Sequence, residues 1–395
     1  MAMEEMILVS NPGSASRKYA LYEAEKCLAK IHFEFIGDKI VYSLAQDGKI
    51  SEPIAADLSH LTFAASKVLA ILQEKQLLKS KEQIKTIVIR VVAPSSYFQQ
   101  DRLLSKRVLD ELAELEPRAS LHINASLQET HMLEQAFPRA TLISISDSAF
   151  HRTMPDHARN YALPLDDANN LDIKRFGYHG LSAESVVYKL KAADKLPLRL
   201  VVCHLGSGAS ITAVKSGKSV DTTMGYSPLE GLMMATRSGN LDVMAAMVLQ
   251  QQLKLSDQAL EDYLNHRSGL LGVSGTSSDI RELLKMEGEG DIRAKLALGM
   301  YTYRIQQATG QMAAVLGGVD ALVFTGTVGE RSVEIRKRIV AKLLFLGLGL
   351  DPHANHAALG GQEMALISPP HHPAKIYIVP ADEDSMMARH AKALS

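Results

Sequence analysis

Short apolar runs break at small-residue turns along this chain, and between them lie longer stretches with apolar side chains three and four positions apart. The first pattern predicts strands and the second amphipathic helices. Residues 6–9, 19–22, 31–36 and 39–44 read as strands, the last two joined by Gly37-Asp38. Residues 61–78 set Leu61, Ala65, Val68, Leu69 and Leu72 at helical spacing. A strand over 84–92 ends at Ala93-Pro94, and helices follow over 103–115 and 127–137, the second closed by Pro138. A strand over 140–145 leads to Asp147, and a carboxylate just past a strand end is a common functional position in α/β folds. After a loop-rich passage, residues 181–193 read as a helix and 200–205 as a strand. That strand breaks at Gly206-Ser207-Gly208, resumes over 209–214 and turns at Ser216-Gly217. Helices are predicted over 231–252, 256–265 and 292–316, with GLLGVSGTSSD as a Gly/Ser loop. A strand over 321–324 enters a Gly/Thr turn and then a helix reaching Leu346. Residues 376–379 form the last strand, and a short helix closes the chain.

The strand followed by a small-residue turn occurs at Asn11, Gly206 and Thr325. Such turns present backbone N–H groups to anions. Three of them in an αβ-alternating chain suggest a nucleotide held between two related domains, with a boundary near 148–155. The length of 395 residues also favours two or three domains. A net charge of −1 gives no electrostatic case for nucleic acid or an anionic membrane. Aromatic residues at 5%, with no Trp, weaken any stacking role. Cys27 and Cys203 have no metal or redox spacing, which suggests a reducing compartment. The apolar run in MAMEEMILVSN is too short for a signal peptide, and no run approaches the ~18 residues of a membrane span, so a soluble cytoplasmic protein is expected. Gly217-Lys218-Ser219 lacks the upstream glycine of a P-loop, and Gly206-x-Gly208 lacks the third glycine of a dinucleotide fingerprint. His353, His356, His371 and His372 lack a metal spacing.

CHLGSGASITAVKSGKSVDTTMGYSPLEGLMMATRSGNLD resembles the central signature of the acetokinase family. NPGSASRK resembles the family's N-terminal NCGSSSIK, SDSAFHRTMP resembles FDTAFHQTMP, and RFGYHGLS resembles RYGFHGTS. SGLLGVSGTSSDIREL, GGVDALVFTGTVGE and VPADEDSMMAR follow in the family's order. The resemblance covers essentially the whole chain. It implies an α/β, two-domain actin-like ATPase fold with ribonuclease-H-like cores, each a mixed sheet flanked by helices. The active site would lie in the interdomain cleft. Domain I would span 1–150, with the closing helix 385–395 packed back on it, and the nucleotide-binding domain II would span 151–384. The implied reaction is reversible, magnesium-dependent phosphorylation of acetate by ATP, with manganese as an alternative ion, in a homodimer.

Residue by residue, the resemblance makes Arg90 and Arg237 the arginines that hold the carboxylate and the moving phosphoryl group. Guanidinium forks suit both anions. His179 and His204 would line the phosphoryl path. Asp147 matches an essential aspartate; acetate is already ionised at neutral pH, with carboxyl pKa values near ~4–5, so positioning magnesium is the expected role rather than strong base catalysis. Asn11 and Glu383 match metal-associated positions, and Lys18 a nucleotide-phosphate lysine. The nucleotide segments would be His204, Leu205, Gly206, Ser207 and Gly208; Asp279, Ile280 and Arg281; and Thr327, Val328, Gly329, Glu330 and Arg331. Val92, Leu121, Tyr178 and Pro228 would form the apolar pocket for the acetate methyl.

Several positions depart from the family pattern. Ala93-Pro94-Ser95 replaces His-Gly-Gly, Ser207 replaces an asparagine, and Thr327 replaces a residue close to the nucleotide. Asp382 replaces an asparagine, Asn240 an aspartate and Tyr178 a phenylalanine. These changes admit propionate or another short-chain carboxylate as acceptor, or a different phosphate donor. A rival of another class is a catalytically weak nucleotide-binding or interaction protein.

Overall fold

The protein's computed structural model describes residues 5–13, 16–358 and 363–394, and every side chain among these except those of 117–122. The chain forms two compact units. One comprises the residues up to Ala149 together with those from Asp382 onward, and the other runs from Phe150 to Ala381.

In the first unit, β1 (Met6–Pro12), β2 (Ser16–Glu23), β3 (Lys26–Ile36) and β4 (Lys39–Gln46) form an antiparallel run. β5 (Ile84–Val91) joins β1 in parallel, and β6 (Thr141–Ser146) joins β5 in parallel. Central strands must bury both faces, and they read accordingly: Leu8, Val9, Ile87, Val88 and Ile89 are all fully buried. The helices Ala64–Glu74 and Glu116–Ala136 cover one face, where Val68, Leu72 and Leu133 pack with Leu8, Leu21, Phe33 and Ile87. The closing helix Glu383–Leu394 lies along β1, β5 and β6 and buries Met386 and Met387.

The second unit repeats this order. β7 (Arg199–Leu205), β8 (Ala209–Lys215) and β9 (Lys218–Thr222) are antiparallel. β10 (Ala321–Thr325) pairs in parallel with β7, and β11 (Lys375–Ile378) in parallel with β10. The helix Gly180–Ala192 packs Val186 and Leu190 onto Leu200, Val202 and Val323. The long helix Ile292–Leu316 lies along β7, β8 and β9 and buries Leu298, Tyr301 and Ile305. Both sheets therefore share a core of three antiparallel strands followed by two parallel ones, and the first sheet extends beyond it with β4.

Local structure departs from the predicted elements where caps and glycines intervene. The helix expected over 231–252 begins only at Val243, where the Asp242 side chain accepts from the N–H groups of Met244 and Ala245. Upstream, Gly231 (φ 113°) and Gly239 (φ 71°) hold conformations that exclude a helix. The segment expected as a Gly/Ser loop contains a short helix, Gly269–Ser274. The predicted helix 103–115 is instead Lys106–Glu114, capped by Ser105, because Arg102 and Leu103 pair with β6. The helix expected at 127–137 begins earlier, as Glu116–Ala136. The helix expected to reach Leu346 is split at Ser332 into Gly326–Arg331 and Val333–Val340.

One polar pair is built into the first core. Glu129 is fully buried; its Oε1 accepts from Ser10 Oγ at 2.8 Å and its Oε2 lies 3.3 Å from Arg17 Nε. Arg17, where the family pattern has isoleucine, also donates to the Gly13 carbonyl. Burial raises the Glu129 carboxyl above its ordinary pKa, against the hydrogen bonds of Tyr19 and Ser10 and the charge of Arg17. Arg17→Met strands a buried carboxylate and is expected to cost about 3–5 kcal/mol in urea unfolding, whereas Arg17→Met/Glu129→Met recovers most of the loss. Equal stability of the single and double variants would show that the pair is not coupled.

Candidate active site

The first unit gathers three of the expected site residues around the guanidinium of a fourth, Arg90. Arg90 lies near the carboxyl end of β5, and Asp147 follows the end of β6, so parallel pairing sets them side by side. Arg90 Nη2 donates to Asp147 Oδ2 at 2.8 Å. Its Nη1 donates to Glu383 Oε2 at 3.1 Å and to Asn11 Oδ1 at 3.3 Å. Asn11 comes from the end of β1, and Glu383 from the first turn of the closing helix, where the helix dipole favours an anion. Burial opposes the Arg90 charge, but Asp147 and Glu383 outweigh it and hold the guanidinium above its ordinary pKa. Arg90 Nε is buried with no hydrogen-bond partner among the described residues.

Around this cluster the departures find local uses. Ser95, from the segment that replaces His-Gly-Gly, donates its N–H to Ala93 O, and its Oγ accepts from Tyr97 N at 3.1 Å, starting a short 3₁₀ turn. Asp382 and Asp384 lie 3.6 and 3.1 Å from Lys30 Nζ. Val92 is half-buried just beyond β5, and Lys18 is exposed on β2 opposite Asn11. The side chain of Leu121 lies outside the described residues.

The second unit gathers His179, His204, Arg237 and the glycine turn. His179 holds a left-handed conformation (φ 57°) immediately before the helix Gly180–Ala192. Its ring stacks on His204, from the end of β7, with centroids 4.1 Å apart and planes 23° from parallel. Leu205 is buried at the end of β7, and Gly206-Ser207-Gly208 reverses the chain, with Gly206 N donating to Gly208 O at 2.9 Å. A Cβ at Gly208 would stand 3.2 Å from His179 Nε2 and 3.4 Å from Arg237 Nη1, so glycine there admits both cationic or polar groups. Ala235 N donates to Ser207 O at 3.1 Å, tying the Arg237 segment to the turn, while the Ser207 side chain is exposed. Asn240, in place of the family's aspartate, accepts from Gly231 N at 2.7 Å. Tyr178 is buried and donates its hydroxyl to Tyr226 O at 2.7 Å, so its polar atom is satisfied inside the unit. Pro228 is half-buried in the loop that follows Tyr226.

The remaining expected nucleotide segments also belong to this unit. Thr327, Val328, Gly329, Glu330 and Arg331 lie in the short helix Gly326–Arg331 after β10. Gly326 (φ 77°) passes so close to the end of β7 that an added Cβ would meet Leu205 O at 2.8 Å. Glu330 accepts from Gly326 N at 2.9 Å and from Ala381 N at 3.0 Å; Arg331 is exposed. Asp279 caps the helix Ile280–Gly288 and pairs with the exposed Arg281, whose hydrogen bond holds its carboxyl below the ordinary range.

Sequence reasoning missed the supports of these groups. Arg336 is fully buried and donates to Gly329 O, Glu330 O and Asn355, closing the end of the Gly326–Arg331 helix; burial lowers its pKa to about 10. Ser182 and Ser210 reach the two stacked histidines. Neither an arginine in a helix nor a serine beside a motif carries a local signal of such a contact.

Two sheets that share a core of three antiparallel and two parallel strands, each with its helices, define an actin-like, sugar-kinase-type fold. The chain belongs to the acetokinase family, whose sequence model matches residues 6–389. It is 38% identical to the acetate kinase of Bacillus velezensis, over 98% of this chain and 99% of that one. Among solved structures, it resembles Porphyromonas gingivalis acetate kinase with a TM-score of 0.87 and 34% identity, covering 99% of each chain. A propionate kinase from Francisella tularensis matches with a TM-score of 0.89 and 31% identity, over 98% of this chain and 99% of that one.

Proposed function

We propose that this protein transfers the γ-phosphoryl group of ATP directly to the carboxylate of acetate, giving ADP and acetyl phosphate, and catalyses the reverse reaction. The observation that carries the reading is the approach of His179 Nε2 and Arg237 Nη1 to Gly208 at the glycine turn. Fixed donors at a turn suited to phosphates are what a phosphoryl transition state requires, because its charge spreads over three oxygens. In this reading Gly206 to Gly208, Asp279 to Arg281, Thr327 to Arg331 and Lys18 hold the nucleotide. Arg237 and His179 neutralise the group in transit, with His204 beside them. Arg90 takes the acetate carboxylate. Val92, Leu121, Tyr178 and Pro228 receive the methyl group, and excluding water there strengthens the arginine contact.

Magnesium fits the donor set. Asn11, Asp147 and Glu383 offer hard oxygen atoms only, already gathered at Arg90. Magnesium is commonly held by one or two carboxylates plus substrate phosphates rather than by a protein cage. No cluster of three or more His, Cys, Asp or Glu side chains that could hold a metal occurs among the described residues. When bound, the ion would neutralise charge on the phosphate oxygens; manganese, with similar ligand preferences, could replace it.

The test is acyl phosphate formation, trapped as hydroxamate, from ATP with acetate, propionate and butyrate. Acetate is expected to turn over fastest. No turnover with any acceptor at sound protein quality would refute the reading and leave a nucleotide-binding protein in its place. A second reading, with propionate as preferred acceptor, rests on the similarity to the propionate kinase. It predicts a higher kcat/KM for propionate than for acetate. Pyrophosphate in place of ATP tests whether the side chains at Ser207 and Thr327 alter the donor.

The reading includes a homodimer. The helix Val243–Leu253 has no buried residue although Val243, Met244, Met247, Val248 and Leu253 are exposed. An exposed apolar face of this kind supports an interface between two copies of the chain. Met247→Glu is expected to halve the mass measured by light scattering; an unchanged mass would place any interface elsewhere. A cytoplasmic location belongs to the same reading, on the free thiols of Cys27 and Cys203. Among the described residues no helix is long and apolar enough to cross a membrane.

A further inference from the structure

We infer that Tyr161 and Tyr178 are positioning residues that clamp the backbone of Tyr226 between their hydroxyls, and that this clamp fixes the Pro228 loop and so sets the size of acid accepted. The acceptor consequence rests on the phosphoryl-transfer reading above, in which Pro228 receives the acceptor methyl; the clamp itself does not.

The loop from Thr223 to Gly231 contains no helix or strand. At its entrance Thr223 N donates to Ile211 O at 3.0 Å, and Gly225 O accepts from the N–H groups of Phe176 and Gly177 at 3.1 and 3.2 Å. At its exit Gly231 N donates to Asn240 Oδ1 at 2.7 Å, and Asn240 N donates to Gly231 O at 2.9 Å. Between these ends, both backbone polar groups of Tyr226 are taken by phenol hydroxyls. Tyr226 N donates to Tyr161 Oη at 2.8 Å, and Tyr226 O accepts from Tyr178 Oη at 2.7 Å. The two hydroxyls supply what a neighbouring strand would, one acceptor and one donor. The Tyr226 ring adds a contact with Phe176, with centroids 5.9 Å apart.

Chemistry fixes the direction of each bond. A backbone N–H can only donate, so Tyr161 Oη accepts there and has one hydrogen left. That hydrogen goes to Glu230 Oε2, further along the same loop. Glu230 Oε1 lies 3.4 Å from Arg175 Nε, and Arg175 Nη1 donates in turn to Asp221 Oδ1 at 3.1 Å and to Ala158 O at 3.2 Å. The carboxylate near the loop's exit thus holds the hydroxyl that holds the loop's middle. Gly225 makes the room: an added Cβ there would collide with both the Glu230 carboxylate and the Tyr161 hydroxyl. Pro228 lies between Tyr226 and Glu230 in the chain, so it is held from both sides. Tyr178 carries its hydroxyl where the family pattern has phenylalanine, so half of the clamp is a departure of this chain. An apolar pocket distinguishes one methylene by about 10- to 200-fold, and only while its walls keep their place. A Pro228 wall that yields would admit the larger acid.

The experiment follows amide hydrogen exchange of the segment 222–232 by mass spectrometry in the full-length protein, beside hydroxamate kinetics with acetate and propionate. Tyr161→Phe keeps the ring and removes the hydroxyl. Exchange at Tyr226 is expected to accelerate about tenfold, the scale of one lost hydrogen bond, while exchange in β7 and β8 keeps the wild-type rate. Its kcat/KM for propionate relative to acetate should rise about 5- to 10-fold, chiefly because KM for acetate rises, with KM for ATP little changed. Tyr178→Phe removes only the donor to Tyr226 O and keeps the ring that the family pattern uses; it should shift the acceptor ratio the same way. Glu230→Gln, which keeps an oxygen for the Tyr161 hydroxyl, should retain most of the protection at Tyr226, whereas Glu230→Ala should resemble Tyr161→Phe. Wild-type exchange at Tyr226 in Tyr161→Phe overturns the clamp. Faster exchange with an unchanged acceptor ratio in both tyrosine variants overturns the specificity consequence. No turnover of either acid by the wild-type protein refutes the reading beneath that consequence, and exchange at Tyr226 then decides the clamp by itself.

Discussion

Arg237→Ala is expected to lower kcat for acetyl phosphate formation by about 100- to 1,000-fold, a loss of roughly 3–4 kcal/mol of transition-state stabilisation. Arg237 reaches the glycine turn from a segment anchored by backbone bonds. Met234 N donates to Arg237 O at 3.0 Å, Ser268 N to Thr236 O at 3.0 Å, and Ala235 N to Ser207 O at 3.1 Å. Removing the guanidinium leaves these backbone supports in place, and circular dichroism of the variant checks that the fold is kept. Arg237→Lys keeps the charge but not the planar fork and should recover only a minor part of the activity. Hydroxamate trapping of the product measures both variants. Wild-type kcat in Arg237→Ala would remove this residue from the chemistry.

Arg90→Ala is expected to have a different signature, because this arginine holds structure besides its proposed role with substrate. It leaves Asp147, fully buried, and Glu383, largely buried, with no guanidinium between them. Loss of one partner of a buried ion pair costs about 3–5 kcal/mol, chiefly through the charge left behind. Hydrogen exchange in β5 and β6 should therefore accelerate, whereas exchange in the sheet of the second unit should not. If Arg90 takes the carboxylate, kcat/KM for acetate also falls sharply. Arg90→Met/Asp147→Asn should recover much of the stability and none of the activity. That divergence separates the structural share of Arg90 from its catalytic share. A stable but inactive Arg90→Ala would mean that Asp147 and Glu383 do not depend on it.

Strand positions were legible where burial makes the sequence simple. The apolar runs 6–9, 84–92, 200–205 and 321–324 became β1, β5, β7 and β10, because strands covered on both faces need nearly continuous apolar residues. The segment around Gly231 was misread for a physical reason. Its apolar residues, Leu232, Met233 and Met234, are buried by a loop that packs closely against Gly269 and Leu270 rather than by one face of a helix. Hydrophobic spacing reports burial, and it reports the element only when one regular face does the burying.

The same division holds for the site. By themselves, the residues determined a chain of alternating strands and helices with three glycine-rich turns, and the long central motif fixed the family. What only the tertiary structure decided was which groups meet and what each meeting leaves over. The pairing of Arg90 with Asn11, Asp147 and Glu383 spans most of the chain's length, and no local pattern encodes it. The same is true of Arg17 with Glu129, and of Arg336 with Asn355. Periodicity is a property of neighbours along the chain, whereas ion pairs and ring stacking are set by the strand register that brings distant neighbours together. The glycine turn at Gly206–Gly208 was therefore visible as a turn in the sequence, but its two facing histidines and the serines behind them became visible only once β7, β8 and the helix after His179 were in place.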